Sequence, residues 1–592
     1  MPANLKDLQK FYVARKTSIF QILPRPSSIS AGGTFTFTTI RDAVQHFLAF
    51  SPKLVDFYTS NSFPGYHKAV MSILEEEQPT IRPRILLFDE WKDKFEGATT
   101  KKNRSGVHAT TITFLGPAGS AHDPRYTYTI SIGSGTKGDS RSMERRLVQS
   151  YQQTVNKITY FYDGSCRKVI PVLLFPHSAI QDRVERDAFN SVLSHTSPLT
   201  RRWGWVTGAQ LKLLLPCQDC HSHRVQDVLS DDTQPARHCV HCCDLEFGKI
   251  MNQHSSSLLG DYPTVACDCG ECPPFPDFRG VPSPLTYIVP EKLEHGFLKQ
   301  ALHVAYHHRV KSVWSAKQTA TYLRLCGVNL GVSKFLELTV TRVHDQFISI
   351  DEGLSLLIPP AWERPIPIER YTEAPMHCLK GLGENVLEFL SLWLKRHGKN
   401  KHVLNLVNKH LIVIQRLQLA WLRVLPFGGK DNMSCGRWVS ENYIDVARVL
   451  PFVMTTVLKS EATLPERAQD QIPIVLRFVH AFARLVGTTL RPKNEVFADP
   501  PKYIADLESI VKIFIFEFEA MERAIYSLPA PRNITQDQEN SRKKEPSWTL
   551  KGNVISLLNF PSSARMFGPL TASWDGDREV FVRFLKPFLN NI

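Results

Sequence analysis

No stretch of the 592 residues stays apolar for the roughly 18–20 uninterrupted positions that cross a bilayer. The longest apolar segments, His410–Trp421 and Ile510–Phe518, are broken by Arg, Gln, Lys or Glu, so no membrane partner is expected. Met1–Lys16 mixes Lys, Asp and Arg with apolar side chains. It has no signal-peptide core and no small-residue cleavage site, so secretion is not expected. No repeat period in the solenoid range is visible. The HExxH helix of a metalloprotease is lacking, which disfavours a zinc hydrolase. Acid is in short supply: 57 Asp+Glu stand against 71 Lys+Arg, a net charge of +14. That balance favours a polyanionic partner, because each Lys or Arg placed near a phosphate releases counterions.

What is present is globular in texture. Hydrophobic residues make up 43% and charged residues 22%, close to an average folded chain. At about 100–200 residues per domain, roughly two to four domains are expected. Residues 1–80 read as a mixed, mostly helical region in which Arg41–Phe50 is amphipathic and Pro24–Gly33 is a loop. From Arg84 the texture changes. Arg84–Phe88, Val107–Phe114 and Tyr126–Ile132 read as three strands joined by short turns. Ser142–Ile158 has helical spacing, and Lys168–Phe175 is nearly all apolar, as a strand buried on both faces would be. A meander, a helix and a central strand make an α/β layer over 81–205.

A cysteine-rich insertion is expected over 206–290 and a helical or mixed insertion over 291–372. Within the latter, Glu291–Lys311 and Ala316–Leu325 read as helices and Leu336–Thr341 as a strand-like run. A core helix is expected over 373–396, a helical C-terminal region over 397–530, and a polar linker with a short tail over 531–592.

Of twelve cysteines, eight lie between Cys217 and Cys272. Cys217-Gln-Asp-Cys220 and Cys239-Val-His-Cys242 are two CxxC pairs with eighteen residues between them, the spacing of a zinc ribbon or knuckle. Each pair sets two thiolates on one turn, and two turns close a tetrahedral site with no position for water, so this zinc would be structural. Cys267, Cys269 and Cys272 form a second cluster. With Cys243 or His254 it could complete another site, or it could replace one of the pairs.

Acidic residues mark a different chemistry. Asp89 and Asp93 are four apart near the end of the first strand and would share a face. Asp182 follows the central strand. Glu373 opens the late helix, with His377 one turn on. A carboxylate on the first strand, one after the fourth and one on a late helix is the layout of ribonuclease H-like nucleotidyl transferases. Those enzymes hold two divalent cations about 4 Å apart on shared carboxylates.

Three local segments carry a resemblance to CACTA (En/Spm-like) transposases. Asp93-Lys-Phe-Glu-Gly97 is similar to the family's Asp-Gly-Phe-Asn-Pro-like segment. Asp182-Arg-Val-Glu-Arg186 resembles its Asp-Leu-Pro-Ala-Ala-Arg-like segment, and Glu373-Ala-Pro-Met-His377 its Asp-Pro-Met-His signature. The resemblance covers Arg84 to Arg396. The chain departs from the pattern at Lys94, Glu96 and Val184, and by one residue inserted before Met376.

The resemblance implies a ribonuclease H-like mixed sheet, interrupted by a zinc insertion, that cuts and joins DNA strands in the nucleus. It puts Asp93 or the competing Asp89, with Asp182 and Glu373, in a triad binding Mg²⁺ or Mn²⁺, and His377 beside it. Arg201, Arg202 and Trp203 could grip and stack on DNA, and Lys101, Lys102 and Arg104 could touch phosphates. A homo-oligomer is left open. The alternative is a catalytically inactive, zinc-containing DNA-binding or scaffold protein on the same fold.

Overall fold

The computed structural model describes residues 21–22, 35–50, 73–76, 82–96, 106–114, 126–134, 137–181, 191–192, 295–325, 328–365, 371–373, 375–397, 400–417, 426–427, 433, 440–526, 557 and 560–573. They fall into two compact units, one within 1–372 and one within 373–574.

The first unit is a mixed sheet packed with helices. Its strands are β1 (Gln21–Ile22), β2 (Phe35–Phe37), β3 (Arg84–Glu96), β4 (Gly106–Phe114), β5 (Thr127–Ser134), β6 (Ile158–Asp163), β7 (Lys168–Gln181) and β8 (Tyr371–Glu373). Their order is β1-β2-β5-β4-β3-β7-β6, with β8 also joined to β7. β3, β4 and β5 form the expected antiparallel meander. Helix α2 (Lys137–Thr154) returns the chain, and β7 then runs parallel to β3 at the centre of the sheet.

The first strand is longer than expected and runs through both Asp89 and Asp93. β6 was not expected, because the helical spacing of 142–158 was read through to Ile158. Asn156 stops the helix instead: its φ of 59° is left-handed, a conformation Asn tolerates at helix ends. Ile158–Asp163 then pairs antiparallel with β7.

Helix α1 (Ile40–Phe50) starts where Thr39 Oγ1 accepts from the Asp42 amide at 3.0 Å. One core joins a face of the sheet to α1 and α2 through Ile40, Phe47, Leu86, Phe88, Phe114 and Tyr151. The same core takes in α3 (His295–Val310), α4 (Ala316–Leu325), α5 (Leu330–His344) and α6 (Ile350–Leu357) through residues such as Leu298, Leu323, Leu336 and Leu357. The opposite face buries Leu87, Leu173 and Phe175 under Ile73 and Leu74.

The strand expected at 336–341 lies inside α5. Its β-branched run alternates locally, but Asn329 caps a helix by accepting from the Gly331 amide at 2.8 Å. Val332, Leu336 and Val340, spaced by four, are its buried apolar residues. Thr339 and Thr341 return their hydroxyls to the carbonyls of Phe335 and Glu337, so the helix accommodates them.

The second unit is helical, as expected of the C-terminal half. Its main helices are α7 (Pro375–Arg396), α8 (Asn400–Arg416), α9 (Ser440–Thr456), α10 (Glu466–Gln469), α11 (Ile472–Thr489), α12 (Lys493–Ala498), α13 (Pro500–Tyr526) and α14 (Phe560–Phe567). Phe389, Phe478, Phe514 and Phe518 meet ring to ring between α7, α11 and α13. By length and composition Glu466–Thr489 could cross a membrane. Here Val475, Phe478, Val479, Phe482 and Val486 are the buried stripe of a bundle helix, while Arg477 reaches Glu517 at 3.1 Å.

Candidate functional site

The centre of the sheet carries charge where an apolar strand is expected. Asp89, Glu90 and Lys92 on β3 are all buried. Strand alternation divides them between two faces. Glu90 and Lys92 share the α2 side with Leu86 and Phe88: Tyr151 of α2 donates its hydroxyl to Glu90, and Lys92 pairs with Glu144 of α2. Asp89 lies on the other face with Leu87.

Asp89 is held by a defect in β7. Phe88 pairs with Pro176 but Asp89 with Ser178, so His177 is an extra residue in the parallel ladder. Neighbouring strand residues normally point to opposite faces, and a bulge re-aims one of them. Here both reach the same carboxylate. Ser178 donates its hydroxyl to Asp89 Oδ1 at 2.6 Å, and the His177 ring meets that oxygen through Nδ1. For Asp89 to be ionised, Nδ1 must carry the proton. A buried carboxylate without donors would be costly, and the bulge supplies two.

On the α2 side, Arg364 donates to both oxygens of Glu90, at 2.7 Å from Nη1 to Oε1. Its guanidinium also lies 4.4 Å from the centre of the Tyr151 ring. The segment around Arg364 is docked by three further side chains. Arg145, Gln152 and Asn156 donate to the carbonyls of Leu356, Glu363 and Pro365 at 3.3, 3.0 and 3.0 Å. This arrangement fixes the end of the helical insertion to the central strand.

The remaining expected site residues are placed as follows. Asp93 lies on β3 opposite Ala109. β7 ends at Gln181, one residue before Asp182, which itself lies outside the described residues. Glu373 does not open the helix. It ends β8, and the helix starts at Pro375. The reason is local: proline pushes the residue before it towards extended geometry and suits a first helical position itself. His377 is in the first turn of α7 and half-buried, but it does not share a helix with Glu373.

Lys101, Lys102, Arg104, Arg201, Arg202, Trp203, Cys217, Cys220, Cys239 and Cys242 lie outside the described residues, as does the second cysteine cluster. Among the described residues, no three His, Cys, Asp or Glu are disposed to hold a metal ion.

Sequence reasoning missed Glu90, Tyr151, His177, Ser178 and Arg364. A signal existed for two of them: Asp89-Glu90 sits between Phe88 and Trp91, and Pro176-His177 interrupts an otherwise apolar strand. No protein-family model matches the chain, and no curated protein matches it.

Proposed function

We propose that the chain is a transposase-like polynucleotidyl transferase with a ribonuclease H-like core, cutting and joining DNA strands, in which Asp89 is the first acid. The observation that carries this reading is the parallel β3–β7 pair. It anchors the Asp89 carboxylate on one face of the sheet through the β7 bulge, and β7 ends immediately before Asp182. The antiparallel meander, the returning helix and a parallel strand beside the first support the same core.

Asp89 is preferred to Asp93 because its carboxylate is anchored on β7 by His177 and Ser178. Asp89, Asp182 and Glu373 offer hard oxygen donors, which suit Mg²⁺ or Mn²⁺. Such ions, when bound, activate the attacking oxygen and stabilise the leaving oxygen of a phosphodiester. The protein's part is to present the acids from stiff backbone, to orient Asp89 through the bulge, and to exclude water around it. Cys217, Cys220, Cys239 and Cys242 would hold a structural zinc, and action on DNA implies the nucleus.

One observation favours a second reading. Asp89 is fully buried, and one of its oxygens already accepts from two donors, as a structural acid would in an inactive, zinc-containing DNA-binding or scaffold protein. The test is Mn²⁺-dependent nicking of DNA by wild type, Asp89→Asn, Asp93→Asn and Asp182→Asn. Mn²⁺ binding is followed in parallel by electron paramagnetic resonance. The proposal expects Asp89→Asn and Asp182→Asn each to lose cutting by at least about a hundredfold and to weaken Mn²⁺ binding, with Asp93→Asn close to wild type. Loss in Asp93→Asn alone would move the first acid to position 93. A wild type that is folded, binds no Mn²⁺ and cuts nothing leaves the second reading standing.

A further inference from the structure

We propose that the outer face of the β6–β7 hairpin is a stacking platform for single-stranded DNA, centred on Tyr160 and Tyr162. The choice of DNA rests on the function proposed above; the platform rests on its own geometry.

Tyr160 and Tyr162 are 57% and 44% exposed, and Val169 is 64% exposed. The register pairs Tyr160 with Pro171 and Tyr162 with Val169, so all four residues lie on one face. Alternation along β7 carries that face from Val169 through Leu173 and Phe175, and β3 carries it from Leu87 to Asp89. The tyrosines therefore share the face of Asp89. Along the strands, at about 3.3 Å per residue, Tyr160 lies roughly 20 Å from it and Tyr162 roughly 26 Å. Ile73 and Leu74 close the apolar middle of this face, and the tyrosines lie beyond that cover.

Two exposed tyrosines at alternate positions of one strand present aromatic surface in the same direction. Every base has a face that can stack on such surface, whatever the sequence. The charge around them is complementary to phosphate. Lys157, just before β6, and Arg167, in the turn before β7, flank the hairpin and are exposed, while Lys168 pairs with Asp163 on the opposite face. The one carboxylate of the hairpin, Asp163, is on the opposite face and is engaged by Ser165 and Arg84.

A second copy of the chain is the competing occupant, since edge strands invite pairing. The edge of β6 is capped against it. Gln45 of α1 donates to the Tyr162 carbonyl at 3.0 Å and accepts from the Tyr162 amide at 3.2 Å. What remains available is the ring face rather than the backbone edge.

The test is fluorescence anisotropy of the full chain with a labelled oligo-dT of about 15 nucleotides, in EDTA so that cutting plays no part. Tyr160→Ala and Tyr162→Ala should each weaken binding about tenfold, and Tyr160→Phe should restore it, because stacking needs the ring and not the hydroxyl. Arg167→Ala should flatten the salt dependence by about 0.7 of a unit of log–log slope. A double alanine variant that is folded by circular dichroism and binds like wild type overturns the platform. So does a double variant that loses self-association in sedimentation while keeping its DNA affinity, since the patch would then belong to a second copy. Intact oligo-dT binding with no cutting by wild type would count against the nucleotidyl transferase and leave the platform standing.

Discussion

Glu90 and Arg364 are 274 positions apart in the chain, yet neither could be buried without the other. A buried pair that loses one partner leaves an uncompensated charge at a cost of about 3–5 kcal/mol, whereas replacing both by apolar residues of similar size is often neutral. Arg364→Met should therefore lower the urea stability of the first unit by about that amount, and Glu90→Leu with Arg364→Met should recover most of it. A single variant as stable as wild type would remove this pair from the account of the fold. At Asp163, burial pushes the carboxyl up, but the Ser165 hydroxyl and amide and the Arg84 guanidinium more than offset this and hold it below the ordinary value. A depressed carboxyl gives stability that is complete above the unfolded pKa of about 4 and is lost as pH falls through the folded value. Asp163→Asn should cost about 1–2 kcal/mol at pH 7 and progressively less as pH falls below about 4, a convergence that urea midpoints at the two ends would reveal. Asp89 was legible in the sequence as a candidate acid because it follows an apolar run. Its partners were not, because His177 and Ser178 reach it only through a register shift between two strands, which no single segment encodes.

Among the elements, those with an uninterrupted period were readable. The three strands of the meander, helices α3, α4 and α7, and the long helices beyond were expected close to where they lie. The misreadings share a cause, in that local texture competed with a boundary or a packing preference that only the folded chain settles. The run 336–341 looks like a strand by its β-branched residues, but its buried positions, Leu336, Thr339 and Val340, have the three- and four-residue spacing of a helix. Leu336→Ala should therefore cost about 2–5 kcal/mol, as a core truncation does. Leu338→Ala, at a position 65% exposed, should stay within about 0.5 kcal/mol. Equal losses at both positions, measured by thermal or urea melts, would mean that the outward face of α5 is covered. β6 was hidden because only Val155, Asn156 and Lys157 separate it from the helix, and the helical spacing runs on through Val155. The start of α7 was misplaced because an acid followed by an alanine invites a helix, while the next residue, Pro375, delays it.

For the whole molecule, the change from a period of two to a period near four was visible in the sequence, but the division into units falls later, at 372/373, because the helices over 295–357 share the core of the sheet. The two units have separate core residues, so unfolding should show two transitions rather than one. Phe478→Ala, which removes a ring from the helical core at about 3–5 kcal/mol, should lower one transition in calorimetry and leave the other in place. A single transition that moves as a whole would show the units to be one cooperative body. The first unit has a further property. Val192 pairs with Val328, and the Asn329 amide donates to the Ser191 carbonyl at 2.9 Å. Val192 and Leu298, far apart in the chain, lie in one core. A peptide bond cut between those two points severs none of these contacts. The nicked protein should run as two bands under denaturing conditions and elute as one peak in buffer. The two pieces, expressed as separate chains, should find each other and rebuild the sheet with its helical cover.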